Sequence, residues 1–173
     1  MDRRRRAAWL VLAVGITAID LWSKSPWKYP PHEGYPHKYL EPTSYAVIEG
    51  WLHIHAVWNE GGVWSLPIAP TLLLIATLLA VPALVLWLLW PAEARTWESA
   101  GKMLVLGGAI GNLYDRIAYG AVRDFIDVYL FDWNYPVFNV ADAALVAGIV
   151  ILLVYSWRDR NKPETPARAG AAG

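Results

Sequence analysis

The 173-residue chain contains no cysteine, which excludes disulfides, thiolate metal sites and a cysteine nucleophile, and leaves the redox compartment undetermined. It also lacks an excess of charge, since fifteen basic side chains balance fifteen acidic ones. A nucleic-acid surface needs a basic surplus, so no nucleic-acid partner is expected. There is no internal repeat, apart from a spacing shared by Asn112-x-x-Asp115 and Asn139-x-x-Asp142. What the chain has in abundance is apolar residues, 56% of the total, gathered into long unbroken runs. Such runs mark an integral membrane protein.

A spanning helix needs about 20 mainly apolar residues, because lipid offers backbone groups no hydrogen-bond partners. Four segments are predicted to span: about 7–23, 67–90, 98–118 and 138–157. The second, TLLLIATLLAVPALVLWLLW, carries no charge and includes Pro82 as a candidate kink. The third is the least apolar, but Gly101, Gly107, Gly108 and Gly111 give it the small-residue face of a tightly packed membrane helix. Arg3–Arg6 followed by an apolar run resembles a secretory signal peptide. Asp20 interrupts that run and no small-residue cleavage site follows, so a retained anchor is expected.

With the N-terminus inside, Arg95, Arg158, Arg160, Lys162 and Arg168 join Arg3–Arg6 on the cytoplasmic side, against Lys24, Lys28, Lys38, Arg116 and Arg123 outside. That bias predicts both termini in the cytoplasm. The expected organisation is one membrane domain over residues 1–160 and a disordered cytoplasmic tail over 161–173. The outer loop, about 25–66, begins with a Pro/Tyr-rich stretch unfit for a helix. Around residues 45–57 it alternates as short strands do, which predicts a small β-rich cradle on an otherwise all-α fold of four transmembrane helices.

Ionisable residues in or beside a span are expensive, so each is a functional candidate. Asn112 and Asp115 lie three apart on one face of the third helix. Asn139 and Asp142 repeat that geometry at the start of the fourth. Asp124 lies in the connection between those helices, which can return it to the mouth of the bundle beside Asp142. Two neighbouring carboxyls cannot both ionise cheaply; one keeps a proton, and the pair can activate water and protonate a leaving amine. That is the chemistry of aspartyl proteolysis, and the two groups titrate as a unit.

At these positions the chain resembles the lipoprotein signal peptidase family. The blocks are GGAIGNLYDR (107–116), Gly120, VRDFID (122–127) and PVFNVAD (136–142), with DLWSK (20–24) and NEGGVWS (59–65) before them. Together they extend over about residues 7–157. The resemblance implies a catalytic dyad of Asp124 and Asp142, supporting roles for Asn112, Asp115, Arg116 and Asn139, and substrate contacts near Asn59 and Arg116. Asp20 and Lys24 enter through their own matching block. It further implies cleavage of diacylglyceryl-modified prolipoproteins just before the lipidated cysteine, at the outer face of the bacterial plasma membrane, with lipids as surroundings and no cofactor or metal. A monomer is expected. Leu21, Val63 and Trp64 depart from the residues usual in the family, and the loop between Lys24 and Asn59 is longer.

Simpler readings stand beside these. Asp115 can serve to balance a nearby cation and orient a loop. Asp20 and Lys24, at i and i+4, can be an ordinary ion pair at a helix end. Asp127 and Asp132 read as solvated loop charges, His53 and His55 lack the carboxylate that would complete a metal site, and Asn139 suits a helix N-cap better than Asp142. A small transporter or a non-catalytic lipoprotein assembly factor are the rival classes.

Overall fold

The computed structural model describes residues 3–32, 42–61, 70–89, 96–131 and 133–161. Val63, Trp64 and Asp132, the 33–41 stretch of the outer loop and the tail beyond residue 161 lie outside them. The described residues form helices α1 (Arg3–Lys24), α2 (Pro70–Leu89), α3 (Thr96–Tyr119) and α4 (Val140–Arg160). Four strands complete the fold: β1 (Ser44–Ile48), β2 (Leu52–Asn59), β3 (Val122–Leu130) and β4 (Trp133–Asn134). Each helix coincides with one of the four apolar segments read from the sequence. Two of them, Ala7–Lys24 and Val140–Arg160, are long and apolar enough to cross a membrane, and α2 holds a shorter apolar stretch, Leu74–Trp87.

The exterior of the bundle is aliphatic. Val11, Val14, Leu72, Leu79, Leu86, Val146, Val150 and Leu153 all point outward, an arrangement suited to lipid and unsuited to water. The interior carries the polar residues. The small apolar core of Ala13, Met103 and Leu106, packed against Trp9, Leu12, Val81, Leu84 and Ile110, joins α1, α2 and α3. Helix α3 is the central element and packs on the other three, which explains why a helix that carries Lys102, Asn112 and Asp115 is the most buried. Its lipid-facing surface is small, and its glycines let neighbours approach.

Gly108 and Gly111 show how close that approach is. A β-carbon at Gly108 would stand 2.5 Å from the Ala141 carbonyl oxygen on α4, and one at Gly111 2.5 Å from Asp20 Oδ2 on α1. Gly108→Ala must therefore push α4 away at the turn that carries Asp142. The expected outcome is a loss of about 1–3 kcal/mol of stability, read as a lower midpoint of thermal unfolding in detergent. At Gly15 a β-carbon would meet nothing within 4 Å, so Gly15→Ala should leave the midpoint level or slightly raised. Equal losses at the two positions would discard the close-packing account.

Chain reversal at the end of α3 sets the site. Gly120 adopts φ 80° and its N–H donates to Arg116 O at 3.1 Å, a glycine C-cap that only a residue without a β-carbon takes readily. The chain then enters β3. The strands form one antiparallel sheet in the order β1-β2-β3-β4. Strands β1 and β2 lie where the alternation at 45–57 predicts short strands, and they form a hairpin that turns at Gly50 with φ 72°. Strand β3 was not expected. The connection read as a plain loop carrying Asp124 is a nine-residue strand, with Asp124 opposite Val57 and Val122 opposite Asn59. A bulge in β2 between Ile54 and Val57 re-aims its last residues toward the bundle.

Candidate active site

Helix α4 begins with Asn139 as N-cap. Its Oδ1 accepts from the Asp142 N–H at 2.9 Å, and Asp142 Oδ2 accepts from the Asn139 N–H at 3.2 Å. This is a capping box, in which the cap and the residue three positions on satisfy each other's backbone. Asn139 is the N-cap expected, and Asp142 shares in the capping rather than being excluded from it. With its oxygen so engaged, the Asn139 side-chain amide points its Nδ2 outward. It donates to Asp124 Oδ1 at 2.6 Å and to Asn112 Oδ1 at 3.1 Å. Asn112 Nδ2 in turn donates to Asp142 Oδ1 at 2.8 Å, and Asn59 Nδ2 to Asp124 Oδ2 at 2.9 Å.

Asp124 and Asp142 are thus gathered around one asparagine, and each of their four carboxyl oxygens receives a neutral N–H. Neutral donors hold a carboxyl group in place without the strong preference for its ionised form that a cation imposes. Asp124 is almost completely buried; Asp142 is partly open. Burial, followed by the charge of Asp142, pushes Asp124 up to about 7 against the opposing hydrogen bonds from Asn59 and Asn139.

The cations stand one layer back. Lys24 Nζ reaches Asp20 Oδ2 at 2.7 Å, Asp115 Oδ2 at 3.0 Å and Asn112 Oδ1 at 3.3 Å, and Lys24, Asp20 and Asp115 are all wholly buried. Asp20 Oδ1 accepts the Ala141 N–H at 2.9 Å, which ties α1 to the first turn of α4. Asp20 and Lys24 do pair, but as part of a buried network and not as an ordinary pair at a helix end. The reason is Gly111, which lets α3 close over Asp20. Asp115 behaves as a charge-balancing and loop-orienting residue. Besides Lys24 it binds the Arg123 guanidinium at 2.7 and 3.1 Å and the Arg123 backbone N–H at 3.1 Å. Burial opposes the charge on Arg123, but the hydrogen bonds and charge of Asp115 outweigh it and hold the guanidinium above its usual value.

Arg116 lies half-buried within the field of Asp142, Asp124 and Asp115, and among the described residues it makes no ion pair. The sequence alone assigns Arg123, within VRDFID, no role. The signal that could have found it is a cation directly before Asp124 and just past the glycine that ends the Asp115 helix. Asp127 is a correction. It is buried, not solvated, because it lies opposite His53 inside the sheet. Its Oδ1 has no hydrogen-bond partner among the described residues, while Tyr129 bonds to its carboxylate.

One pH dependence follows from Asp124. Its folded-state value is raised far above that of an unfolded carboxylate, so between about pH 4 and pH 7 the folded chain holds a proton that the unfolded chain has lost. The stability that this confers is present at low pH and lost as pH rises through 7, by an amount of the order of a few kcal/mol. Thermal unfolding of the wild type should weaken between pH 5 and pH 8, whereas Asp124→Asn should be flatter across that window. Parallel curves would remove the raised Asp124.

A helix bundle with an aliphatic exterior, holding carboxyl groups on neutral amides beside a small sheet, is the framework of an aspartic membrane enzyme. The pattern of the signal peptidase (SPase) II family matches residues 12–158. A lipoprotein signal peptidase of Syntrophomonas wolfei is 40% identical over 130 residues, covering 75% of this chain and 84% of that protein. Another, from Sulfurihydrogenibium sp., is 32% identical over 155 residues, covering 84% and 90%. A solved bacterial membrane enzyme superimposes with a TM-score of 0.77 at 27% identity, covering 94% of this chain and 95% of its own. The chain belongs to the signal peptidase II family and is an aspartic peptidase.

Proposed function

We propose that the chain removes signal peptides from prolipoproteins that carry a diacylglyceryl group, cutting just before the lipidated cysteine. Asp124 and Asp142 act as the dyad. The observation that carries this reading is the binding of both carboxyl groups to Asn139, one through its side chain and one through its backbone. In the free enzyme the single shared proton rests on Asp124, which burial and the neighbouring charge favour. Water attacks the scissile carbonyl carbon and gives a proton to the ionised carboxyl, while the protonated one supports the carbonyl oxygen. The nitrogen then takes a proton and the C–N bond breaks. This needs two carboxyls and water only.

Asn59, Asn112 and Asn139 hold the dyad, Lys24, itself bound to Asp20 and Asp115, holds Asn112, and Arg116 contacts the substrate. Four spans with both termini in the cytoplasm would put the sheet and the dyad at the outer face of the bacterial inner membrane. Residues 1–160 would form a single peptidase domain working as a monomer among lipids, followed by a tail over 161–173. Buried acyl chains of the substrate would then fix the depth of the scissile bond, so that lipid binding contributes to positioning.

The test is incubation of the purified protein with a diacylglyceryl prolipoprotein, followed by mass spectrometry of the product. A new N-terminus at the lipidated cysteine supports the reading. Cleavage elsewhere, or equal cleavage of the unlipidated precursor, overturns the substrate assignment.

A further inference from the structure

The segment that follows α1, residues 25–32, lies over the sheet. Lys28 and Thr43 exchange two hydrogen bonds, Lys28 N–H to Thr43 Oγ1 and Thr43 N–H to Lys28 O, both 2.9 Å. Trp58 of β2 donates from Nε1 to Pro30 O at 2.7 Å. In this strap the Tyr29 side chain is 1% exposed and its ring centroid lies 5.1 Å from that of Trp58. Trp58 is opposite Arg123 in the sheet and 5.7 Å from the Tyr119 ring, over which the Arg123 guanidinium sits at 4.8 Å. Tyr29 therefore adjoins the group of residues that encloses Asp115.

Its oxygen has no hydrogen-bond partner among the described residues. Phenylalanine would fill the same space beside Trp58 without that cost, since a buried hydroxyl without a partner is unfavourable. Burial holds the phenol well above its usual value, and the charges that act on it besides are Arg123, Asp115, Asp124 and Asp20, all from the site. A buried water is the usual way to join such a hydroxyl to nearby carboxylates.

We propose that Tyr29 is a positioning residue of the active site, donating a hydrogen bond through a buried water to the Asp115–Asp124 carboxylates and so favouring the ionised form of Asp124. The proposal rests on the peptidase reading above. It assigns to the lengthened outer loop a part in setting the protonation of the dyad. The groups that share this field are Arg123 and Asp124 from β3, Asp115, Arg116 and Tyr119 from α3, Asp20 and Lys24 from α1, and Asp142 from α4. At the end of β2, Glu60 pairs with His32 of the strap at 3.3 Å.

The test is the pH profile of kcat/KM for Tyr29→Phe. Its alkaline limb, where the protonated member of the dyad loses its proton, should move to higher pH by about half a unit to one unit, the size of a single donor lost from an ionised carboxyl, with KM unchanged. Difluorotyrosine at position 29, a stronger donor, should move the limb the other way, and Tyr45→Phe, whose phenol lies on the exposed part of β1, should not move it. A packing role alone predicts an unmoved limb in the first two variants, and that result overturns the proposal. The pH dependence of thermal unfolding reads Asp124 without turnover, and its descending window should shift with the limb. If the wild type fails to cleave, the peptidase reading fails, while an unshifted unfolding window in Tyr29→Phe would still refute the role of Tyr29.

Discussion

Asp124→Asn and Asp142→Asn are each expected to lower kcat/KM for a lipidated prolipoprotein by about three orders of magnitude or more. The double variant should be little worse than either single one, because the two carboxyls act as one unit and removing half of a unit removes its function. Asparagine keeps the shape of the side chain and one acceptor oxygen. At position 142 the Asn139 N–H or the Asn112 amide loses its acceptor; at position 124 the amides of Asn59 and Asn139 compete for one. The structural cost is thus about one hydrogen bond, roughly 1 kcal/mol, and at position 124 it is offset above pH 7 by relief of the buried charge. Circular dichroism and thermal unfolding at pH 8 should accordingly find both variants folded. A single variant that retains a tenth of wild-type activity would dismiss the dyad, and additive losses would mean that the two acids serve separate steps.

Much of this arrangement was legible before any coordinates. The four helices follow from apolar runs, which need no partner to be recognised. The paired Asn-x-x-Asp spacings place Asn112 beside Asp115 and Asn139 beside Asp142 by helical periodicity alone. Four things were not legible, and each depends on a contact between distant parts of the chain. Strand β3 forms because β2 offers an edge to it, and VRDFID is buried on both faces only after that pairing, so no alternation marks it as a strand. Asp127 is buried for the same reason, although its charge and its position past the motif read as a solvated loop. The burial of Lys24 depends on Gly111, about ninety residues away, and the sequence around Lys24 is that of any helix end with an i, i+4 pair. The division of labour was invisible too: asparagines touch the dyad while lysine and arginine touch Asp20 and Asp115. Residue types predict that charges will be balanced but not by which partner.

Lys24→Met decides between these two readings of α1. An ordinary ion pair at a helix end contributes less than about 1 kcal/mol, and its loss would hardly move the unfolding midpoint. In the folded chain Lys24 is wholly buried and its ammonium serves two buried carboxylates at 2.7 and 3.0 Å. Methionine preserves the apolar stem and removes the charge. Among the described residues Asp20 then retains only the Ala141 N–H, and Asp115 only Arg123. Leaving a buried charge so poorly compensated costs about 3–5 kcal/mol, or roughly 10 °C in a chain of this size. Cleavage should fall as well, because the Asn112 oxygen loses the Lys24 contact that helps to keep its amide turned toward Asp142. Asp20→Asn in the same chain removes the stranded charge and should restore much of the stability but little of the activity. A double-mutant cycle on Lys24 and Asp20 therefore measures the coupling directly. A coupling below about 1 kcal/mol would mean that Lys24 meets water rather than the interior of the bundle, and that the network between α1, α3 and α4 does not hold Asn112 in place.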